Sequence, residues 1–285
     1  MKKRKLITLI LLGVFFVGLS VLLYPSIASF WNQKTQSKAV NDYEKEIQQF
    51  TPEDYAALFE AADRYNRELA ALNFPLNDYT QLEGYRDMIN ISSNGMFGYL
   101  SIDKIQVELP IYHGTSASVL NSACGHLEGT SLPVGGDATH CVISAHRGLP
   151  SAKLFTNLDK LEIGDTFRIT VLDRVLTYMV DQIKTVTPNH VNYLKIEEGQ
   201  DYCTLLTCTP YGINTHRLLV RGVRTDTVVS TTVDVTSEAY LIDKLIVTPV
   251  VALPILFVLI LYVFFMPVKA KKVPIESDEE GEDDL

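Results

Sequence analysis

The sequence predicts a mainly β domain held between two apolar, membrane-length helices, with a helical segment leading into the β region. Three observations predict it. The 285 residues are 47% hydrophobic with a mean hydropathy of +0.10, high for a soluble domain, so apolar segments must be concentrated somewhere. They lie at the two ends, where Leu6–Tyr24 and 245–268 are almost wholly apolar and uncharged. Between them, from Gly95 onward, short β-type runs alternate with turn residues, the pattern of a sandwich or barrel.

The first element is the apolar run, assigned as a span over 6–26. About 20 apolar residues at 1.5 Å each cross a ~30 Å hydrocarbon core. A cleaved signal peptide is the rival reading, with Ser26, Ala28 and Ser29 as small residues near a cleavage site. However, the stretch exceeds the roughly 7–15 residues of a signal h-region. Residues 1–5 carry Lys2, Lys3, Arg4 and Lys5, and Lys269, Lys271 and Lys272 follow the second span at 245–266. Positive flanks mark the cytoplasmic side, so both termini are expected inside and residues 31–241 outside. Residues 267–285 end in a short acidic tail.

Residues 36–73 read as a helical extension. Thr51-Pro52-Glu53-Asp54 has the capping-box pattern with Pro at the first helical position. Tyr55, Leu58, Phe59, Ala62, Tyr65, Leu69 and Leu72 then recur at spacings of three and four, giving one apolar face. Residues 74–94 form a loop with a short helical stretch. The β region, 95–226, has candidate strands at Phe97–Ile102, Val107–Tyr112, His140–Ala145, Thr166–Val171, Leu176–Val186, Tyr202–Cys208 and Arg217–Arg224. Leu172-Asp173-Arg174 turns one hairpin, and 227–244 links the domain to the second span.

Charge narrows the function. There are 25 Lys+Arg against 34 Asp+Glu, a formal net charge of −9. The external segment 31–241 holds 17 basic and 26 acidic residues, so it carries the whole imbalance. No basic stripe exists for a nucleic acid. Four cysteines are too few for a disulfide scaffold, and their spacing lacks the C-x2-C pattern of a zinc site. Cys203 and Cys208 are about 16 Å apart along one strand and face opposite sides, so they cannot pair. Whether Cys124 and Cys141 pair stays open.

Cys208 ends an apolar strand before the turn at Thr209–Thr215. A thiol there can serve as a nucleophile if a base or cation lowers its pKa, although most free cysteines are simply buried. Arg217 lies two residues into the next strand, and Arg221 shares its face. Either guanidinium could approach the thiol if the strands are antiparallel neighbours. His146, just past the strand of CVISAHRGLP, suits general acid–base chemistry. His113, His126, His140, His190 and His216 compete with it.

On Thr204-Leu205-Leu206-Thr207-Cys208, which matches a TLxTC motif, with His146 upstream and Arg217 downstream, the sequence resembles the sortases. These are membrane-anchored cysteine transpeptidases of Gram-positive bacteria. The segments His126–Gly136, Ser144–Pro150 and Thr207–Gly222 resemble class C, the pilus-building sortases. That resemblance implies a closed eight-stranded barrel with a helical N-terminal extension, a lid loop and two spans. It implies Cys208 as nucleophile, His146 as general acid/base and Arg217 as oxyanion and substrate stabiliser, with Thr207 and Leu205 touching substrate. Class C lids commonly carry Asp-Pro followed by an aromatic. Here the region offers Phe74-Pro75 and Asp78-Tyr79, so Asp78 and Tyr79 are the expected plug. The implied substrates are pilins or surface proteins with an LPxTG-like sorting signal, joined through a thioester to a lysine amine, without metal or other cofactor. Attachment of surface proteins to cell-wall peptide and a non-catalytic two-span receptor are the alternatives.

Overall fold

A computed structural model of the chain describes residues 2–91 and 95–226, together with Phe257. The described residues up to 226 belong to one compact unit. The expected linker at 227–244, second span at 245–266 and tail at 267–285 lie outside the described residues, Phe257 excepted.

The first helix, α1 (Lys2–Ile47), runs without a break from the apolar stretch into the extension, carrying Pro25 inside it. It is long and apolar enough to cross a membrane by length and composition. The helical reading of 36–73 therefore divides in two. The stop falls at 48–51, where Thr51 caps α2 (Pro52–Ala70): its hydroxyl accepts from Asp54 N–H, and the Asp54 carboxylate accepts from Thr51 N–H. Pro52 at the first helical position cannot continue a preceding helix, so the chain turns there.

Both helices dock on the barrel by their polar as well as apolar side chains. Phe59, Ala62, Tyr65 and Leu69 of α2 join the main core. Asn66 exchanges two hydrogen bonds with the Leu132 backbone, at 3.0 and 2.7 Å. Tyr43 of α1 donates to Phe97 O at 2.7 Å and accepts from Leu172 N–H at 2.8 Å.

The barrel has eight strands, β1 (Met96–Ile102), β2 (Val107–His113), β3 (Cys124–His126), β4 (Thr139–Ser144), β5 (Thr166–Val171), β6 (Arg174–Val186), β7 (Asp201–Thr209) and β8 (His216–Thr225). They close in the order β1-β2-β3-β4-β7-β8-β6-β5. The pairs β2–β3 and β4–β7 are parallel, and the rest are antiparallel. Seven of the strands stand where the alternating runs put them; β3, at three residues, is too short to show an alternation. Closure leaves no free edge.

Alternation divides β4, β7 and β8 into two faces. Cys141, Ile143, Cys203, Leu205, Leu218 and Val220 fill the barrel core. Val142 and Leu219 instead join Leu194 in a second apolar cluster, with Leu206 packed against it. That second cluster floors the outer face on which the functional side chains stand.

Candidate active site

Cys208 and Arg217 sit directly opposite each other in the β7–β8 ladder. Opposed residues of an antiparallel pair share a face, with Cβ atoms roughly 4.5–5.5 Å apart. The condition left open by the sequence, that the two strands be antiparallel neighbours, is met. All four cysteines are free thiols, and Cys208 alone is not buried. Cys124 and Cys141 are therefore unpaired, and burial pushes both thiols up, away from reactivity.

The structure distinguishes the two arginines that spacing could not separate. Arg221 donates through Nε and Nη2 to the Asp181 carboxylate, at 3.1 and 2.6 Å, and its guanidinium lies 4.0 Å from the Tyr202 ring centre. Asp181 falls where the β6–β8 register shifts, between Val180 and Gln182, a bulge that aims its carboxylate at Arg221. Arg217 makes hydrogen bonds only to backbone carbonyls, those of Asn214 at 3.3 Å and His216 at 3.1 Å. Among the described residues it has no carboxylate partner, so no acid neutralises its charge.

His146 lies past the end of β4, fastened beside the Cys208 strand. Ladder pairing of β4 with β7 ends at Ser144–Leu206. Beyond it, Ala145 N–H donates to Leu206 O at 3.2 Å, and the Thr207 hydroxyl donates to Ala145 O at 2.7 Å. Two residues further, Arg147 Nη1 donates to Thr209 Oγ1 at 3.3 Å. Residues 145 and 147 are thus tied to 206, 207 and 209, which sets His146 alongside Cys208. Its ring is half-buried and forms no hydrogen bond among the described residues.

Two competing histidines are committed elsewhere. His140 is buried, with Nδ1–H donating to Lys195 O and Nε2 accepting from Thr204 Oγ1, both at 2.8 Å. His126 is buried between Ser131 O at 2.9 Å and the Tyr85 hydroxyl at 2.8 Å. Burial pushes His140 down to about 4 and His126 down to about 3, so both are neutral at physiological pH. His113 is also buried, against Phe97 and Tyr85.

Two expectations need correction. Leu205 is fully buried in the barrel core, and Thr207 is 1% exposed with its hydroxyl given to Ala145 O. Odd-numbered residues of β7 face inward, so neither side chain reaches a peptide on the outer face. Thr207 instead clamps the histidine loop to the cysteine strand.

The segment after α2 lies over the outer face. It forms α3 (Pro75–Asp78), then single 3-10 turns at Tyr79–Gln81 and Tyr85–Asp87. Neither Asp78 nor Tyr79 hydrogen-bonds to Cys208, His146 or Arg217. Tyr79 packs instead at Gly129, where a Cβ would stand 2.8 Å from Leu76 Cα and 3.0 Å from the Tyr79 ring. With φ at +82°, Gly129 also holds a conformation that side chains rarely adopt. The residue of this segment that reaches the apolar floor is Leu76, packed against the cluster of Val142, Leu194 and Leu219. Sequence reasoning missed it, because one leucine in a loop carries no periodicity.

Comparison with known proteins agrees with this geometry. The Sortase domain family matches residues 100–225. Sortase C1 of Streptococcus agalactiae is 45% identical, with a TM-score of 0.61, over 66% of this chain and 98% of that one. Sortase C of Streptococcus pneumoniae, described with respect to catalysis and pilin substrate specificity, is 44% identical, with a TM-score of 0.60, over 66% and 97%. Sortase C of Clostridium perfringens, described with the C-terminal cell wall sorting motif, is 45% identical, with a TM-score of 0.59, over 67% and 99%. A sortase A of Streptococcus agalactiae is 30% identical over 117 residues, which is 40% of this chain but only 47% of that protein. A closed eight-stranded barrel, a cysteine facing an arginine across two strands, and near-complete coverage of three class C structures lead to one conclusion: the chain belongs to the sortase family.

Proposed function

We propose that the chain is a membrane-anchored cysteine transpeptidase that joins pilin subunits. The observation that carries this reading is the opposition of Cys208 and an uncompensated Arg217, with His146 fastened alongside. In the reading, the Cys208 thiolate attacks the Thr carbonyl carbon of an LPxTG-like signal. Arg217 stabilises the oxyanion, and the C–N bond to Gly breaks as His146 protonates the leaving amine. A lysine amine of a second pilin then attacks the thioester, giving up a proton to His146, forming an isopeptide bond and regenerating the thiolate. The class C relatives described with pilin specificity and with a sorting motif support the choice of substrate.

The segment 74–82 acts in this reading as a lid, anchored by Leu76 rather than by an Asp-Pro-aromatic plug. The apolar part of α1, with the run at 245–266, would hold the enzyme where substrates wait on their own membrane anchors, with both termini cytoplasmic. Such confinement raises effective concentration. Expression of Cys208→Ala with its pilins tests the proposal. Loss of the high-mass pilin ladder is expected, and a retained ladder would sink it. Surface proteins that reach the cell wall singly, with no ladder even for the unaltered enzyme, would instead favour attachment to cell-wall peptide.

A further inference from the structure

We propose that Arg147 is a positioning residue that locks the histidine loop to the cysteine strand. The proposal rests on the transpeptidase reading above. The β4–β7 ladder stops at Ser144–Leu206, two residues short of both His146 and Cys208. Beyond that point the relative placement of acid and nucleophile must be held by side chains. The Thr207–Ala145 bond holds the near side of His146. Arg147 holds the far side, with Nη1 donating to Thr209 Oγ1 at 3.3 Å and Nη2 to Asp159 Oδ2 at 2.6 Å.

Asp159 makes this a fixed anchor. It belongs to the 3-10 turn Leu158–Lys160, whose Leu158 is fully buried in the main core. One guanidinium therefore ties a core-anchored turn to the residue immediately after the nucleophile. The Arg147 side chain is only 9% exposed, whereas that of Asp159 is 48% exposed. Among the described residues, the buried Arg147 Nε has no partner. An unmet buried donor is destabilising, so stability alone gives little reason for a guanidinium here. The planar fork is what reaches Thr209 and Asp159 together, which a lysine ammonium cannot reproduce.

The rest of the loop is braced in the same sense. His146 O accepts from Phe155 N–H at 3.1 Å, and Gly148 N–H donates to Thr156 Oγ1 at 3.2 Å. Gly148, at φ +79°, lets the Tyr211 ring of the β7–β8 turn come within 2.9 Å of where a Cβ would stand. The two arginines near Cys208 thus divide the work. The charge of Arg147 is matched by Asp159 and acts through geometry, while that of Arg217 has no carboxylate partner among the described residues and is left for the oxyanion. Misplacing catalytic groups by about 1 Å can cost roughly 100-fold in rate.

The test uses the full chain in detergent with a quenched fluorescent peptide containing Leu-Pro-x-Thr-Gly. It measures kcat, KM and unfolding midpoint, together with the pH dependence of iodoacetamide alkylation. The other three cysteines are buried, so alkylation of the folded protein reports Cys208. Arg147→Ala is expected to lower kcat about 10- to 100-fold with KM changed less than about threefold. Its alkylation profile should move toward that of His146→Ala. Arg147→Lys should fall between, and Thr209→Val, which spares the Asp159 pair, should lower kcat without moving the unfolding midpoint. A folded Arg147→Ala with unaltered kcat and alkylation profile overturns the proposal. Should Arg147→Ala not fold, Thr209→Val decides: wild-type kcat there overturns it equally. Cleavage retained by Cys208→Ala would instead mean that the transpeptidase reading itself has failed.

Discussion

At the scale of single residues, the site turns on which guanidinium is left uncompensated. Arg221 and Arg217 share one face of β8, yet a bulge at Asp181 captures the first in a two-bond ion pair. Arg217 is held only by carbonyls of its own turn, and among the described residues no carboxylate neutralises it. In the transpeptidase reading, Arg217→Ala should lower kcat for peptide cleavage by about 100- to 1,000-fold, the range for loss of an oxyanion donor. Arg217→Lys should recover little, since a point charge does not reproduce the fork. Arg221→Ala should mainly lower the unfolding temperature, because it leaves Asp181 half-buried and unpaired. Steady-state kinetics and thermal melts on the three variants check this assignment, and equal kcat losses at 217 and 221 would contradict it.

At the scale of elements, the covering segment is held at two points of unlike chemistry. Its later turn is anchored by Tyr85, whose hydroxyl bonds to His126 Nδ1 and accepts from Gly114 N–H. Its first turn is held by Leu76 on the apolar floor of β4, β7 and β8. A half-buried leucine contributes about 1–2 kcal/mol, so if the segment acts as the proposed lid, Leu76→Ala should raise its open fraction roughly five- to thirtyfold. Faster iodoacetamide alkylation of Cys208 would report it, and an unchanged rate would show that Leu76 does not gate the thiol. The elements also show what was legible in the sequence. The capping box at Thr51 and the alternating strands were readable because each is a local pattern. The division of 36–73 into two helices, the three-residue β3 and the seat of Leu76 were not, because long-range packing decides them.

At the scale of the whole molecule, buried neutral histidines make the barrel sensitive to acid. His140 and His126 titrate at about 4 and about 3 in the folded chain, against roughly 6.5 when unfolded. Above pH 6.5 neither state binds the proton, and their contribution to stability is complete. As pH falls from 6.5 toward 4, only the unfolded chain is protonated, and each histidine removes about 1.4 kcal/mol per pH unit. At pH 5 the pair should have cost on the order of 4 kcal/mol relative to pH 7. Asp201, whose carboxyl burial raises, offsets part of this nearer the carboxylate range. Urea midpoints at pH 7 and pH 5 test the sign, and equal midpoints would refute it. His126 joins Tyr85 to the barrel, so acid should loosen the covering segment together with the fold.

The sequence by itself determined the mainly β class, the apolar N-terminal helix, seven of the eight strands and the residues on which a family resemblance rests. These are legible because hydrophobic period, capping and turn chemistry act between residues close in the chain. Only the tertiary structure decided which arginine keeps an uncompensated charge, which motif residues face the core, and how the histidine loop is fastened to the cysteine strand. Those outcomes depend on the register of β4, β7 and β8 and on partners such as Asp181 and Asp159, whose position in the chain does not reveal what they touch.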